Sequence, residues 1–208
     1  MQSPNPRRPE RPIFWIVGGP NGSGKSSFYN LTNIEGWGGS VWIINPDLLT
    51  AKIEQSEGLS LIEANLAAVQ RVEKWLESSI EAYQTIGVET VLSSPKYRRL
   101  VDLAKARGFE VRMIYAVLDS AELQLERIRV RVAEGGHDVP PDKVRDRRLR
   151  SFAEFAWFAR HVDRCFVFNN SGGEPELAAI NAGGQFVVLE PLPADMAEVL
   201  VREGMDLR

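Results

Sequence analysis

Residues 18–27 read GGPNGSGKSS and follow directly on the apolar run IFWIV, residues 13–17. Gly19, Gly24, Lys25 and Ser26 satisfy the spacing G-x-x-x-x-G-K-[ST], with a strand-like segment before it and helix-compatible sequence after it. Glycines let such a loop take positive φ and turn its N–H groups inward on phosphate oxygens, while the following helix offers its positive dipole end to the same anion. Gly19, Pro20, Asn21, Gly22, Ser23, Gly24, Lys25, Ser26 and Ser27 are therefore expected to hold a nucleoside triphosphate. In this pattern Lys25 reaches the β- and γ-phosphates and the Ser26 hydroxyl ligates Mg²⁺, so ATP and Mg²⁺ are the expected cofactors. The chain contains neither a guanine-reading NKxD nor LSGGQ, which removes Ras-type GTPases and transporter ATPases.

Working outward, apolar strand-like segments alternate with amphipathic ones, the pattern of a parallel sheet covered by helices. The strands are expected at 13–17, 41–45, 88–92, 111–117 and 165–168, with 185–189 as a sixth. Their near-continuous apolar character suits burial on both faces. The expectation is an α/β P-loop NTPase fold with a five- to six-stranded, mainly parallel sheet flanked by helices. Between the second and third strands Ile62, Leu66, Val69, Val72, Leu76, Ile80 and Tyr83 recur at helical steps and predict a core-facing stripe. Ser94, Pro95 and Gly108 bracket a further helix, Asp119 with Glu122 predicts a capping box, and a last helix lies near 193–203. No repeat or linker divides the chain, so one domain is expected over 13–208. Residues 1–12, with four prolines and three arginines, are expected to form a disordered tail.

Bulk properties narrow the class. A chain of 208 residues with 44% hydrophobic and 25% charged residues and a mean hydropathy of −0.20 reads as a globular protein with a sizeable core and no membrane span. The net charge of −3 and pI of 5.6 provide no field for holding a polyanion, which counts against nucleic acid as partner. The single cysteine, Cys165, excludes a disulfide framework and a cysteine-built zinc site, and fits a reducing cytoplasm.

In an open α/β sheet the ligand crevice lies beyond the carboxyl ends of the strands. The second strand ends WIINPD, placing Asp47 there as the candidate general base, with an Asx turn or helix cap as its alternative. The third runs VETVLSS, and a carboxylate inside a buried strand is costly unless partnered, so Glu89, with Thr90, is expected at the substrate or at a metal-bound water. Leu125 to Phe152 carries seven arginines interrupted by Gly135, Gly136, Pro140 and Pro141. It reads as two helices joined by a mobile loop, an arginine-rich lid over about 127–148. In the first, Leu125, Ile128 and Val132 face the core. In the second, Leu149, Phe152, Phe155 and Ala159 do so, leaving Arg145, Arg147 and Arg148 elsewhere. Arg131 and Arg147 are the candidates for neutralising charge on a moving phosphoryl group, while Arg127 and His137 complete the substrate side. Asn170 and Ser171, after the fifth strand, are candidates for contacting the nucleotide base, a polar turn being equally consistent.

Taken in order, GGPNGSGKSS, INPD, VETVLSS, LQLERIRVRVAEGGHDVP, DRRLRSF and VFNNS resemble the zeta toxin family of P-loop kinases over roughly residues 13 to 180. The resemblance implies a kinase whose best-known members phosphorylate a sugar hydroxyl of UDP-N-acetylglucosamine and are held inactive by a small antitoxin. It supports Lys25 and Ser26 at the nucleotide, Asp47 as base, Glu89 at the substrate, and Arg131 with Arg147 at the lid. The family commonly carries a second threonine where this chain has Val91. The expected function is thus ATP-dependent transfer of a phosphoryl group to a hydroxyl of a small substrate, a UDP-sugar being favoured. A polynucleotide or nucleoside kinase and a non-catalytic ATP-dependent interaction protein are the alternatives.

Overall fold

The computed structural model describes residues 11–26, 41–134 and 139–207. Their elements run β1 (Ile13–Gly18), β2 (Ile43–Ile44), α1 (Pro46–Glu57), α2 (Leu61–Glu81), β3 (Ile86–Thr90), a 3-10 turn (Pro95–Tyr97), α3 (Arg98–Ala106) and β4 (Glu110–Val117). They continue with α4 (Ala121–Ala133), α5 (Pro141–His161), β5 (Arg164–Asn169), β6 (Glu176–Ala182), β7 (Gln185–Val188) and α6 (Ala194–Arg202). The strands form one sheet in the order β2-β3-β1-β4-β5-β6-β7, parallel from β2 to β5, with β6 and β7 antiparallel.

This order gives the sheet a switch point. From β1 the chain first builds β2 and β3 on one side, then β4 and β5 on the other, so the crevice opens at the carboxyl end of β1 where the glycine loop leaves. The β1–β3 register sets Val17 against Glu89 and Gly18 against Thr90, which brings the two polar residues of β3 beside the root of that loop.

Side chains alternate across β1. Phe14 and Ile16 enter the main core with Val88, Met113, Tyr115, Phe152 and Phe155, while Trp15 packs on the other face with Ile114 and Phe168. Cys165 lies fully buried in the main core, and burial pushes its thiol pKa well above the usual range. Among the described residues no helix is long and apolar enough to cross a membrane.

Several expectations are corrected. The sheet holds one strand more than the pattern shows, because β6 reads ELAAINA, rich in helix formers, and becomes a strand by pairing with β5. The second strand shrinks from 41–45 to Ile43–Ile44, since Asn45 leaves the sheet to cap α1. The third ends at Thr90, because Leu92 takes a left-handed φ of 57° and its N–H binds Thr90 Oγ1 at 3.0 Å.

On α2 the buried stripe runs through Ala64, Ala68, Val72, Leu76 and Ile80. Ile62 is 83% exposed and Leu66 and Tyr83 are also outside, because the small alanines allow Ile53 of α1 to pack closely. Ser120, not Asp119, caps α4, accepting the Leu123 N–H at 3.1 Å. In α5 Leu149 is exposed and Arg148 takes the inward position. At the amino-terminal side Arg11 donates to the Gly108 and Phe109 carbonyls at 2.9 and 3.0 Å, and the Pro12 carbonyl accepts the Glu110 N–H. Residues 1–10 of the expected tail lie outside the described residues.

Candidate functional site

The loop after β1 is shaped by three positive-φ glycines, Gly19 at 144°, Gly22 at 75° and Gly24 at 82°. Two of them also lie too close to neighbours for any side chain. A Cβ on Gly19 would sit 2.2 Å from the Ala116 carbonyl oxygen, and one on Gly24 would sit 2.3 Å from Asn170 Nδ2. Lys25 folds back over this loop, its Nζ donating to the Gly19 and Pro20 carbonyls at 2.8 and 2.9 Å. It is only 7% exposed. Burial draws the ammonium pKa down, Glu89 and Asp47 oppose that shift, and Arg131 adds to it.

Glu89 is buried and receives the Ser26 hydroxyl at 2.9 and 3.1 Å and Asn45 Nδ2 at 3.1 Å. The same Asn45 amide uses its oxygen to cap α1, accepting the Asp47 and Leu48 N–H groups at 2.9 and 3.3 Å. One side chain therefore ties Glu89 to the helix turn that carries Asp47. Asp47 is not the cap. It stands in the first turn of α1, exposed, and its carboxylate has no hydrogen-bond partner among the described residues.

Two cavities meet here. One, of about 250 Å³, is lined by Asn21, Asp47, Thr90, Lys96, Tyr97 and Arg147; the other, of about 210 Å³, by Gly24, Ser26 and Arg127. Gly22, Lys25, Glu89 and Arg131 line both. A larger cavity of about 390 Å³ lies by Arg160, Phe186 and Met205 at the β7 edge, with three strands between it and β1, and holds none of these groups.

The residues fit a magnesium nucleotide. The glycine loop is a backbone cradle closed to side chains at Gly19 and Gly24, and Ser23 Oγ and Asn21 Oδ1 are buried there without hydrogen-bond partners among the described residues. Ser26 sets a hydroxyl against a carboxylate, the kind of oxygen donors Mg²⁺ takes alongside phosphate.

A family model described as Zeta toxin matches residues 1–174. The chain belongs to the zeta toxin family. An uncharacterized protein of Haemophilus influenzae is 29% identical over 138 residues, covering 65% of this chain and 90% of that relative. The solved complex of AvrRxo1-ORF1 and -ORF2 with ATP matches at a TM-score of 0.66 and 20% identity, over 95% of this chain. This zeta toxin family chain spans 66% of that longer one. The PezAT toxin-antitoxin system of Streptococcus pneumoniae matches at a TM-score of 0.59 and 17% identity, covering 93% and 86% of the two chains. These likenesses carry the P-loop kinase fold that the glycine loop implies.

The zeta toxin residues expected at the site are distributed unevenly between the cavities. Asp47, Glu89, Thr90, Arg131 and Arg147 share the larger, where Val91 also lies. Arg127, expected with the substrate, lines the glycine-loop side, and Asn21, expected with the nucleotide, lines the Asp47 side. Asn170 and Ser171 bind the chain itself, Asn170 Nδ2 donating to the Ser23 carbonyl and Ser171 Oγ accepting the Asp119 N–H. Ser27 and His137 lie outside the described residues. Three residues escaped the sequence reading. Asn45 carries a signal, an Asn directly before a proline at a helix start. Lys96 and Tyr97 carry none.

The lowered Lys25 pKa has a measurable consequence. Below it the buried charge is present in full; between it and the ordinary lysine value of 10.5 the unfolded chain holds more protons than the folded one, so the ligand-free fold gains stability as pH rises. If Lys25 serves a bound nucleotide as expected, MgATP affinity should fall in that window by up to about tenfold per pH unit. Calorimetric titrations from about pH 7 to 10 check this, and Lys25→Met should flatten the profile.

Proposed function

We propose that this zeta toxin family chain is an ATP- and Mg²⁺-dependent kinase that phosphorylates a hydroxyl of a small anionic acceptor, a UDP-sugar being favoured. The single observation that carries the reading is the pair of adjoining cavities whose common wall is Gly22, Lys25, Glu89 and Arg131. A donor phosphate on the glycine loop and an acceptor hydroxyl beside Asp47 would meet at that wall.

When bound, ATP supplies the phosphoryl group and magnesium offsets its charge; Ser26 would hold the metal. Asp47, exposed and without a competing hydrogen bond among the described residues, takes the proton of the acceptor hydroxyl. Lys25 and Arg131, on the common wall, balance negative charge spread over the transferred group, and Arg147 reaches it from the acceptor side. Glu89 fixes the Ser26 hydroxyl. Residues 127–148 act as the lid that excludes water. The reading places the protein in the cytoplasm and gives it a small antitoxin as partner.

Lys96 favours an anionic acceptor over a neutral nucleoside. Its ammonium lines the acceptor cavity over the Tyr97 ring, 4.7 Å from the centroid, and burial lowers its pKa while Glu73 opposes. A half-buried cation with no hydrogen bond to the described residues suits a phosphate or carboxylate of the ligand. Lys96→Ala is expected to raise the acceptor KM roughly tenfold with little change in kcat, since it removes binding made equally in ground and transition states.

The decisive experiment incubates the protein with MgATP and a panel of UDP-sugars, nucleosides and 5′-hydroxyl oligonucleotides and identifies products by mass. A phosphorylated UDP-sugar is the expected product. Product from oligonucleotides alone would give a polynucleotide kinase, and no product from any acceptor would leave a nucleotide-dependent interaction protein.

A further inference from the structure

The loop after β5 is bonded to the glycine loop. Asn170 is pinned at its backbone by an N–H bond to the Val117 carbonyl at 2.9 Å, and its side-chain Nδ2 donates to the Ser23 carbonyl at 2.9 Å. Its neighbours are locked in turn. Asn169 Oδ1 accepts the Ser171 N–H and hydroxyl at 3.0 and 2.7 Å, Asn169 Nδ2 donates to Asp119 at 2.6 Å, and the Asp119 N–H returns to Ser171 Oγ at 2.8 Å. The ends of β4 and β5 thus share one hydrogen-bonded polar turn, and the Asn170 amide carries it to the Ser23 carbonyl of the glycine loop.

The contact is directional. The Ser23 carbonyl and the Gly24 N–H belong to one trans peptide, so they point in opposite directions. Holding the carbonyl on Asn170 aims the Gly24 N–H away from that amide, leaving it to be offered to an anion as loops of this kind offer their N–H groups to phosphate. The close approach of the amide, 2.3 Å from where a Gly24 Cβ would stand, gives Gly24 a second reason to be glycine besides its φ of 82°.

We infer that Asn170 is a positioning residue for the phosphate cradle, setting the Ser23–Gly24 peptide in its anion-binding orientation, and that it makes no contribution to choosing the base. This rests on the nucleotide reading proposed above.

The test compares MgATP with magnesium tripolyphosphate, which has the phosphates but no base, binding to wild type, Asn170→Leu and Asn170→Ala by calorimetry, with melting temperatures alongside. The expected result is a loss of roughly tenfold in affinity, equal for the two ligands, with melting nearly unchanged, as for one hydrogen bond to a preorganised loop. A loss confined to ATP would make Asn170 a base contact, and no loss for either ligand would remove its role; both overturn the inference. If neither variant folds, the wild type still decides, because the Gly24 amide resonance must shift on adding tripolyphosphate, and an unmoved resonance overturns it. A wild type that binds neither ligand refutes the nucleotide reading itself, and this inference falls with it.

Discussion

Asp47→Asn is expected to lower phosphoryl transfer by roughly 10²–10⁴-fold while leaving MgATP affinity within about twofold of wild type. Asparagine keeps the shape of the side chain and loses its capacity to take a proton. The fold has little stake in the carboxylate. Its cost is limited to a helix-dipole contribution of about 0.3–1 kcal/mol in the first turn of α1, because the capping bonds come from Asn45. Nucleotide binding should change little as well, since Asp47 lines the larger of the two adjoining cavities and not the glycine-loop one, and acts on Lys25 only through its charge. Product formation and nucleotide calorimetry on the same preparation read both quantities. Retention of most of the activity would rule Asp47 out as the base, and a parallel loss of nucleotide affinity would move it to the other cavity.

The second large effect is on stability. Arg148 is 1% exposed, yet it spans three elements: its Nε and Nη2 bind Asp195 at 2.6 and 2.9 Å, Nη2 also donates to the Leu118 carbonyl at 2.8 Å, and Nη1 approaches Gln124 Oε1 at 3.5 Å. The guanidinium further stacks over the Phe152 ring, 4.8 Å from its centroid. Arg148→Met keeps much of the volume and strands the partners. Breaking a buried pair from one side costs about 3–5 kcal/mol, and the partial exposure of Asp195 places this case near the lower end. For a chain of this size that is a fall in melting temperature of roughly 6–12 °C. Combining it with Asp195→Leu should recover part of the loss, because the carboxylate is then no longer uncompensated. A melting temperature unmoved by Arg148→Met would show the network to be energetically idle.

The same network bears on the proposed lid. Next to Arg148, the Ser151 hydroxyl donates to the Val91 carbonyl at 2.7 Å and shares a hydrogen bond with the Tyr115 hydroxyl at 2.7 Å. From Arg148 onward α5 is therefore fastened to the carboxyl ends of β3 and β4. Any closure over the acceptor belongs to the part of α5 that precedes it, which includes Arg147.

The sequence made the architecture readable because its strongest signals are local. A glycine loop after an apolar run needs no tertiary information, and neither do strands buried on both faces. Long-range partners were hidden. Arg148 looks like any arginine in a basic helix until α6 supplies Asp195, and ELAAINA carries no strand signal until β5 supplies an edge. Ile62 and Leu66 fit a helical stripe as well as Ala64 and Ala68 do, and only the packing of α1 decides between them. Within the site, Asp47 and Glu89 could be found because a carboxylate at a strand end stands out against apolar neighbours. The long-range bonds of Asn45 to Glu89 and of Asn170 to the Ser23 carbonyl depend on geometry that spacing does not encode.

The left-handed turn at Leu92 has a consequence of its own. A bulky aliphatic side chain, buried at 1% exposure, is held at a backbone angle that disfavours it, a stored tension of about 1–3 kcal/mol. That bend throws the chain off the sheet immediately after Thr90, so the rim carrying Lys96 and Tyr97 lines the cavity beside Asp47 instead of continuing along the strand axis. A straighter run would have cost the fold less and left the basin without one of its sides.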